Sequence, residues 1–162
     1  MDVIGGIANR NIRSVIINET LAGNSGNISV STRQFNLMNG GSLVSRSFGI
    51  GSSGDININA SNSVRIDGFL AENAQLSSAI GTVSFSPLLT GRSGTITVST
   101  PTLSLQSGGI ISATTFGNAA AGNVNINADR IEVVGRNPSL FESTISSSTL
   151  GKGNAGSITI ST

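Results

Sequence analysis

A five-residue phrase recurs five times along this 162-residue chain: glycine, any residue, Ile or Val, any residue, Ile or Val. Successive copies lie 28, 40, 28 and 34 residues apart, and they begin at Gly26, Gly54, Gly94, Gly122 and Gly156. Repeat periods of about 20 to 50 residues are typical of stacked repeats, and strict apolar–polar alternation predicts a strand with one buried face. Copies of one strand that stack on each other form a solenoid, which is first of all an elongated scaffold.

When the five phrases are aligned, alternate positions form chemically uniform columns. Alternate residues of a strand share one face, so we expect the Ile, Val, Thr and Ala columns to point inward and the Ser, Thr and Asn columns to face water. The predicted inward columns are Ile28, Ile56, Ile96, Val124 and Ile158; Val30, Ile58, Val98, Ile126 and Ile160; and Thr32, Ala60, Thr100, Ala128 and Thr162. The predicted outward columns are Ser29, Asn57, Thr97, Asn125 and Thr159, and Ser31, Asn59, Ser99, Asn127 and Ser161.

Two further strands are predicted in each repeat. An apolar pair after each of the first four phrases indicates a second strand beyond a short corner, and the matching segments 40–49 and 108–117, each opening with two glycines, indicate a third. The pattern predicts an all-β chain: a right-handed parallel β-helix, or β-solenoid, of about five coils with three short strands per coil. We expect one repeat domain over residues 1–162, with coils that start near 26, 54, 94, 122 and 156, as a segment of a longer array. The second-strand pairs are Phe35/Leu37, Val64/Ile66, Leu103/Leu105 and Ile131/Val133.

The longer repeats and the two ends suggest where such a scaffold makes contacts. Extra residues lie between the second and third strands at 68–74 and 135–141, and insertions in repeat arrays map to one side, often the binding side. Neither end carries a recognisable cap, so we expect open apolar columns that stack on a second copy or on adjacent repeats of a parent chain. The predicted open columns are Ile158, Ile160 and Thr162 at one end, and Val3, Val15 and Ile17 at the other.

The composition restricts the chemistry that this chain can perform. It has no His and no Cys, which excludes imidazole and thiolate catalysis. Only Asp129 and Glu132 are close in sequence among the eight carboxylates, and the other coils do not repeat this pair. We therefore predict no catalytic, no cofactor-binding and no metal-ligating residue. A net charge of +1 gives no reason to expect nucleic acid, and no apolar stretch is long enough to span a membrane. The carboxylates are Asp2, Glu19, Asp55, Asp67, Glu72, Asp129, Glu132 and Glu142.

Several residue types leave alternatives open. The Gly-rich corners lack the features of calcium-binding or phosphate-binding loops, and turns with positive φ explain their glycines better. The polar columns predict a solvated face, with a flat surface that binds carbohydrate or ice as the alternative, and their mixed Ser, Asn and Thr content argues against ice binding. Core or corner positions suit Phe35, Phe48 and Phe116, whereas Phe69 and Phe141 lie in the insertions, where they can be exposed contacts or can pack down.

The segments Gly23–Val30 and Gly153–Ile160 resemble the repeat region of filamentous haemagglutinin-like proteins, the large exoproteins of two-partner secretion in Gram-negative bacteria. The closest resemblance is to a cyanobacterial-type subset, and the Asn-Ile-Asn-Ala phrases at 57–60 and 125–128 also fit it. The resemblance implies a non-enzymatic structural or adhesive segment at the extracellular or outer surface of a Gram-negative-type bacterium. It also implies that an outer-membrane transporter exports the parent protein. Two alternatives remain: a module that binds surface glycan through its insertion loops, and a polysaccharide-acting β-helix enzyme.

Overall fold

The computed structural model describes residues 1–4, 13–85 and 91–162, and in these residues every regular element is a β-strand. The strands are β1 (Asp2–Ile4), β2 (Val15–Thr20), β3 (Ile28–Met38), β4 (Ser42–Ser47), β5 (Ile56–Asp67), β6 (Phe69–Leu70), β7 (Asn73–Ser77), β8 (Ala79–Ser84), β9 (Ile96–Ser99), β10 (Thr102–Gln106), β11 (Ile110–Thr115), β12 (Val124–Asn127), β13 (Arg130–Val134), β14 (Thr144–Thr149) and β15 (Ile158–Ser161).

Two parallel sheets run along the stack. The larger has eight strands and contains the first and second strands of the coils. The two are continuous in β3 and β5 and separate in β9/β10 and β12/β13, whereas in the described residues β1 is a second strand alone and β15 a first strand alone. The smaller contains the third strands in the spatial order β14-β11-β8-β4-β2. A short antiparallel hairpin, β6–β7, lies outside both sheets. The chain is therefore a parallel β-solenoid of about five turns, as the repeated phrase predicts.

Each coil lies in register on the coil before it. Ile56 of β5 pairs with Ile28 on one side and Ile96 on the other, and the pairing continues through β12 to β15. The rings of Phe48, Phe85 and Phe116 on successive coils stand 4.9 Å apart, which is close to the spacing of neighbouring strands in a sheet. The columns read from the aligned phrases are therefore real ladders of stacked side chains.

The core lies between the two sheets, where the inward columns meet. Ile56, Ile96 and Val124 are fully buried, whereas the alternate Asn and Ser positions of the same strands are exposed or half-buried. The second-strand pairs are fully buried in the inner coils, and Leu43, Ile80 and Ile111 of the third strands complete the core. The inside and outside assignments made from the sequence are confirmed for the first strands.

Contact between coils, and not backbone conformation, requires glycine at the start of every phrase after the first. A Cβ on Gly54, Gly94 or Gly122 would collide with the carbonyl of the equivalent glycine one coil earlier. Positive φ occurs elsewhere in the corners, for example at Gly40 (φ 81°) and Gly108 (φ 87°). The prediction of positive φ for the double-glycine corners is thus correct at Gly40 and Gly108 and wrong at Gly41 and Gly109, which, like the phrase glycines after the first, lie too close to a neighbouring backbone to carry a side chain.

The corner after the second strand of each coil explains where the insertions leave the solenoid. The residue after each second strand is left-handed in four coils: Asn39 (φ 53°), Gly68 (φ 77°), Ser107 (φ 51°) and Gly135 (φ 79°). In the 28-residue coils a second left-handed residue, a glycine, completes a tight two-residue corner. In the longer coils the chain leaves the solenoid after the first left-handed residue and forms the insertion.

The N-terminal third strand corrects one sequence expectation. In β2 the residue that packs against the core is Ile16, which pairs with the buried Leu43. Strand alternation then places Val15 and Ile17 on the outer face, and Ile17 is exposed. The prediction that Val15 and Ile17 belong to the inward column is therefore wrong by one residue. Val3 of β1 lies in the core, but it is only 7% exposed, so the prediction that it belongs to an open column is also wrong.

Candidate functional site

Buried hydroxyl groups lie in a row in the corners that precede the first strands. The Oγ atoms of Ser25, Ser53 and Ser93 accept hydrogen bonds from the N–H of the phrase glycine one coil later, at 2.7, 2.9 and 2.7 Å. The third strands contribute as well, because Thr82 Oγ1 donates to the Gly94 carbonyl at 2.7 Å. Buried polar groups in folded proteins are normally satisfied in this way. These hydroxyls therefore have a structural role and are not poised nucleophiles.

The lone carboxylate of the neighbouring polar column belongs to a second ladder. Asn27 Oδ1 accepts the N–H of Asp55 at 2.8 Å, and Asp55 Oδ1 accepts the N–H of Thr95 at 2.7 Å. Two coils further on, Asn123 Oδ1 accepts the N–H of Ser157 at 2.9 Å. Asp55 therefore accepts the same hydrogen bond from the next coil that Asn27 and Asn123 accept in theirs. Its carboxylate bridges backbones and has no geometry that indicates acid–base chemistry.

The other carboxylates form no cluster of three or more in the described residues. Asp67 pairs with Arg65 at 2.6 Å, and Asp2 Oδ1 accepts a hydrogen bond from Asn36 at 2.7 Å. Within residues 1–4, 13–85 and 91–162, no three Asp or Glu side chains come together in a way that could hold a metal ion. Asp129 is exposed and lines a groove of about 270 Å³ whose other lining residues are small, neutral or apolar. This groove offers hydrogen bonds, but only one ionisable group lines it.

The two insertions pack together into one ridge over the coil between them. Asn137, only 2% exposed, reaches from the second insertion to the first: its Nδ2 donates to the Ala74 carbonyl at 2.7 Å and to Ser77 Oγ at 3.1 Å. In the first insertion, Leu70 is fully buried over the corner at Gly40. The insertions are therefore built into the side of the solenoid and are not independent loops.

The second insertion presents an exposed apolar tip. Phe141 is 47% exposed, and Leu140 beside it is exposed with a left-handed φ of 66°. Arg136 and Glu142 pair across the base of this loop in an antiparallel bridge. Phe69 of the first insertion is half-buried. Of the two insertion phenylalanines, Phe141 is therefore the exposed one and Phe69 is partly buried.

A row of large apolar side chains, which the aligned repeats did not predict, forms a rib along one edge of the smaller sheet. The residue after each third strand is large and apolar in all five coils, and the three central rings stack face to face with interplanar angles of 5° and 7°. Because the ring faces contact each other, mainly ring edges are presented outward, and a sugar cannot stack on the face of the central ring. Phe85 escaped notice because the insertion shifts it out of the 28-residue alignment. The rib consists of Leu21, Phe48, Phe85, Phe116 and Leu150.

The last coil leaves its inward columns uncovered. Ile158 and Ile160 of β15 are 45% and 52% exposed, whereas Val124 and Ile126, in the same columns one coil earlier, are 0% and 2% exposed. Large aliphatic side chains at such exposure on a strand edge form a surface that another strand can cover.

Comparison with protein-family models, with curated proteins and with solved structures gives no match to this chain. In the described residues, no helix has the length and apolar character needed to cross a membrane.

Proposed function

We propose that this chain is a non-enzymatic β-solenoid segment with a structural and adhesive role in a filamentous haemagglutinin-like surface or secreted protein. Its place of action is then the extracellular side or outer surface of a Gram-negative-type bacterium, after export of the parent protein through an outer-membrane transporter. The observation that carries the proposal is the uncovered inward column of the last coil, at Ile158 and Ile160. The repeat phrases that resemble those of the family support it.

The exposed edges at the two ends are complementary. At one end β15 adds a first strand, with no described second or third strand in its coil; at the other end β1 and β2 provide a second and a third strand. A second copy, or the adjacent repeat of a parent chain, can therefore complete the coil that β15 opens. In that arrangement Ile158 and Ile160 would cover Ile28 and Val30, and the ladders would continue without a gap.

The test is the size of the purified chain as a function of concentration, measured by multi-angle light scattering. The native chain should form oligomers that grow with concentration, and Ile158→Lys with Ile160→Lys should abolish them, because two charges would have to be buried in the joint. The matched control is Thr159→Lys with Ser161→Lys on the same strand. It adds the same charge on the outward face and should leave association intact.

Two results would count against the proposal. One is a native chain that stays monomeric at the highest concentration reached. The other is equal suppression of association by the inward and outward lysine pairs, which would show that charge alone controls it.

A second candidate function rests on the exposed tip of the second insertion. An exposed aromatic ring offers a flat apolar face on which a sugar ring can stack, and Phe141 is 47% exposed at the tip of the second insertion. If the ridge binds surface glycan, a glycan array should show ligands for the native chain that Phe141→Ala loses and that Phe116→Ala, on the opposite rib, retains. An array with no ligand at all, or equal loss in both variants, would remove this candidate.

A further inference from the structure

The outer face of the smaller sheet carries an apolar groove that the scaffold role does not use. It has a volume of about 230 Å³ and runs across β4, β8 and β11 in the middle of the stack. Its floor and walls are mainly aliphatic, with Phe85 of the rib on one side. Outward positions of the first strands are Ser, Thr and Asn, so an aliphatic outer face here differs from the repeated pattern of the chain. The aliphatic outward residues are Val44, Ala79, Val83 and Ile110.

Gly81 gives this groove its depth. It pairs with Val44 on one side and Ser112 on the other, and a Cβ built on it would meet only the Ser112 carbonyl oxygen, at 3.7 Å. Its φ is not in the left-handed region. Neither backbone conformation nor packing therefore requires glycine here, unlike the phrase glycines. The missing side chain leaves open space over the sheet.

Two guanidinium groups border the groove at its N-terminal side. Arg46 forms an ion pair with Glu19, Nε to Oε2 at 3.0 Å, although the direction of the N–H does not make it a hydrogen bond. In the described part of the chain no carboxylate lies within ion-pair distance of Arg13. Burial, and then the positive charge of Arg46, lowers the pKa of Arg13. Together the three groups leave one uncompensated positive charge beside an apolar groove.

We propose that this groove binds a single-chain amphiphile with one anionic headgroup, namely a medium-chain fatty acid, whose carboxylate lies between Arg13 and Arg46 and whose hydrocarbon tail lies over Gly81. An arginine pair suits a carboxylate because each guanidinium offers several donors in a plane. At about 30 Å³ for a group of the size of a water molecule, the volume accommodates about eight such groups, so with the carboxylate outside the groove the tails of nonanoate and decanoate about fill it. The groove lies on the side of the stack, and end-to-end association leaves it open; the inference does not depend on the proposed function.

The chemistry of the groove predicts that binding affinity depends on both the length of the hydrocarbon tail and the charge of the headgroup. Each methylene between hexanoate and decanoate should tighten binding by about two- to fourfold, the lower value applying to a partly open groove. Decyltrimethylammonium, with the same tail and the opposite charge, should not compete with decanoate.

The experiment is isothermal titration of the full chain with decanoate, kept below the concentration at which it forms micelles. Gly81→Leu fills the groove and should abolish binding, while Thr97→Leu, on the outer face of the larger sheet, should not change it. Arg13→Gln and Arg46→Gln should each weaken binding by about fivefold, and Arg65→Gln, which lies on the other sheet, should have no effect. The circular dichroism spectrum of each variant checks that the solenoid is folded.

Three outcomes would overturn the proposal. The first is the absence of saturable decanoate binding to the native chain. The second is binding that Gly81→Leu leaves unchanged, or that decyltrimethylammonium displaces equally well. The third is a side-by-side dimer that Gly81→Leu dissociates and Thr97→Leu does not, which would show that a second copy of this chain occupies the groove.

Discussion

Two isoleucines of one column allow the packing of the stack to be measured directly. Ile58 and Ile160 occupy the same inward position in different coils, and their exposures are 2% and 52%. Replacement by Ala removes three carbon groups in each case. At about 0.8 kcal/mol per buried carbon, the transfer cost is about 2.4 kcal/mol at Ile58, and the cavity left between two neighbouring coils raises it to about 3 to 4 kcal/mol.

At Ile160 about half of the side chain already contacts water and no closed cavity can form. The expected cost of Ile160→Ala is therefore about 1 kcal/mol. Urea unfolding followed by circular dichroism gives both values, and an unchanged slope against urea would show that each variant unfolds through the same transition. Light scattering at the working concentration must show monomers, because association would bury Ile160.

Equal losses of stability in the two variants under monomeric conditions, or a cost of less than about 1 kcal/mol for Ile58→Ala, would contradict this expectation. Either result would mean that the columns are not stacked as described. If the dependence of the unfolding free energy on urea concentration falls for Ile58→Ala alone, the inner coils unfold separately from the ends, as coils of repeat arrays can.

Two further pairs of substitutions separate the roles of glycine and serine in the coils. Gly94→Ala should destabilise the chain by more than about 3 kcal/mol or prevent folding, because its Cβ would collide with the backbone of the previous coil, while Gly81→Ala should change the thermal midpoint very little. Ser93→Ala should cost about 1 to 3 kcal/mol, because it leaves a buried N–H unpaired, while Ser99→Ala on the outward column should stay within about 0.5 kcal/mol. Equal midpoints within either pair would contradict the corresponding role.

Much of the fold was predictable from the sequence because the repeat determines it. Once Ile28, Ile56 and Ile96 are aligned, period-two alternation assigns the inward face and the parallel stack follows. The same reasoning placed the insertions between the second and third strands. It failed by one residue at Val15 and Ile17, since that strand lies outside the aligned phrases and only its pairing with β4 reveals which side faces the core.

The contacts between distant residues were not predictable from a single sequence. The rib needs Phe85 to align with Phe48 and Phe116 across repeats of unequal length, and nothing local in the chain indicates that alignment. Asn137 reads as an ordinary loop residue, yet it is buried against the other insertion. The groove depends on a glycine that resembles the structural glycines of the repeat and differs from them only in what surrounds it.

The measurement that tests the register of the coils most directly uses engineered disulfides, since the chain has no cysteine of its own. Asn57 and Thr97 are directly paired on adjacent strands, whereas Ser99 is two residues further along and about 8 Å from Asn57. A disulfide needs Cα atoms within about 7 Å. Under mild oxidation, Asn57→Cys with Thr97→Cys should therefore close to a bridge detectable by mass spectrometry, and Asn57→Cys with Ser99→Cys should remain reduced. Preferential closure of the Asn57–Ser99 pair would contradict the register on which the ladders, the rib and the open ends all depend.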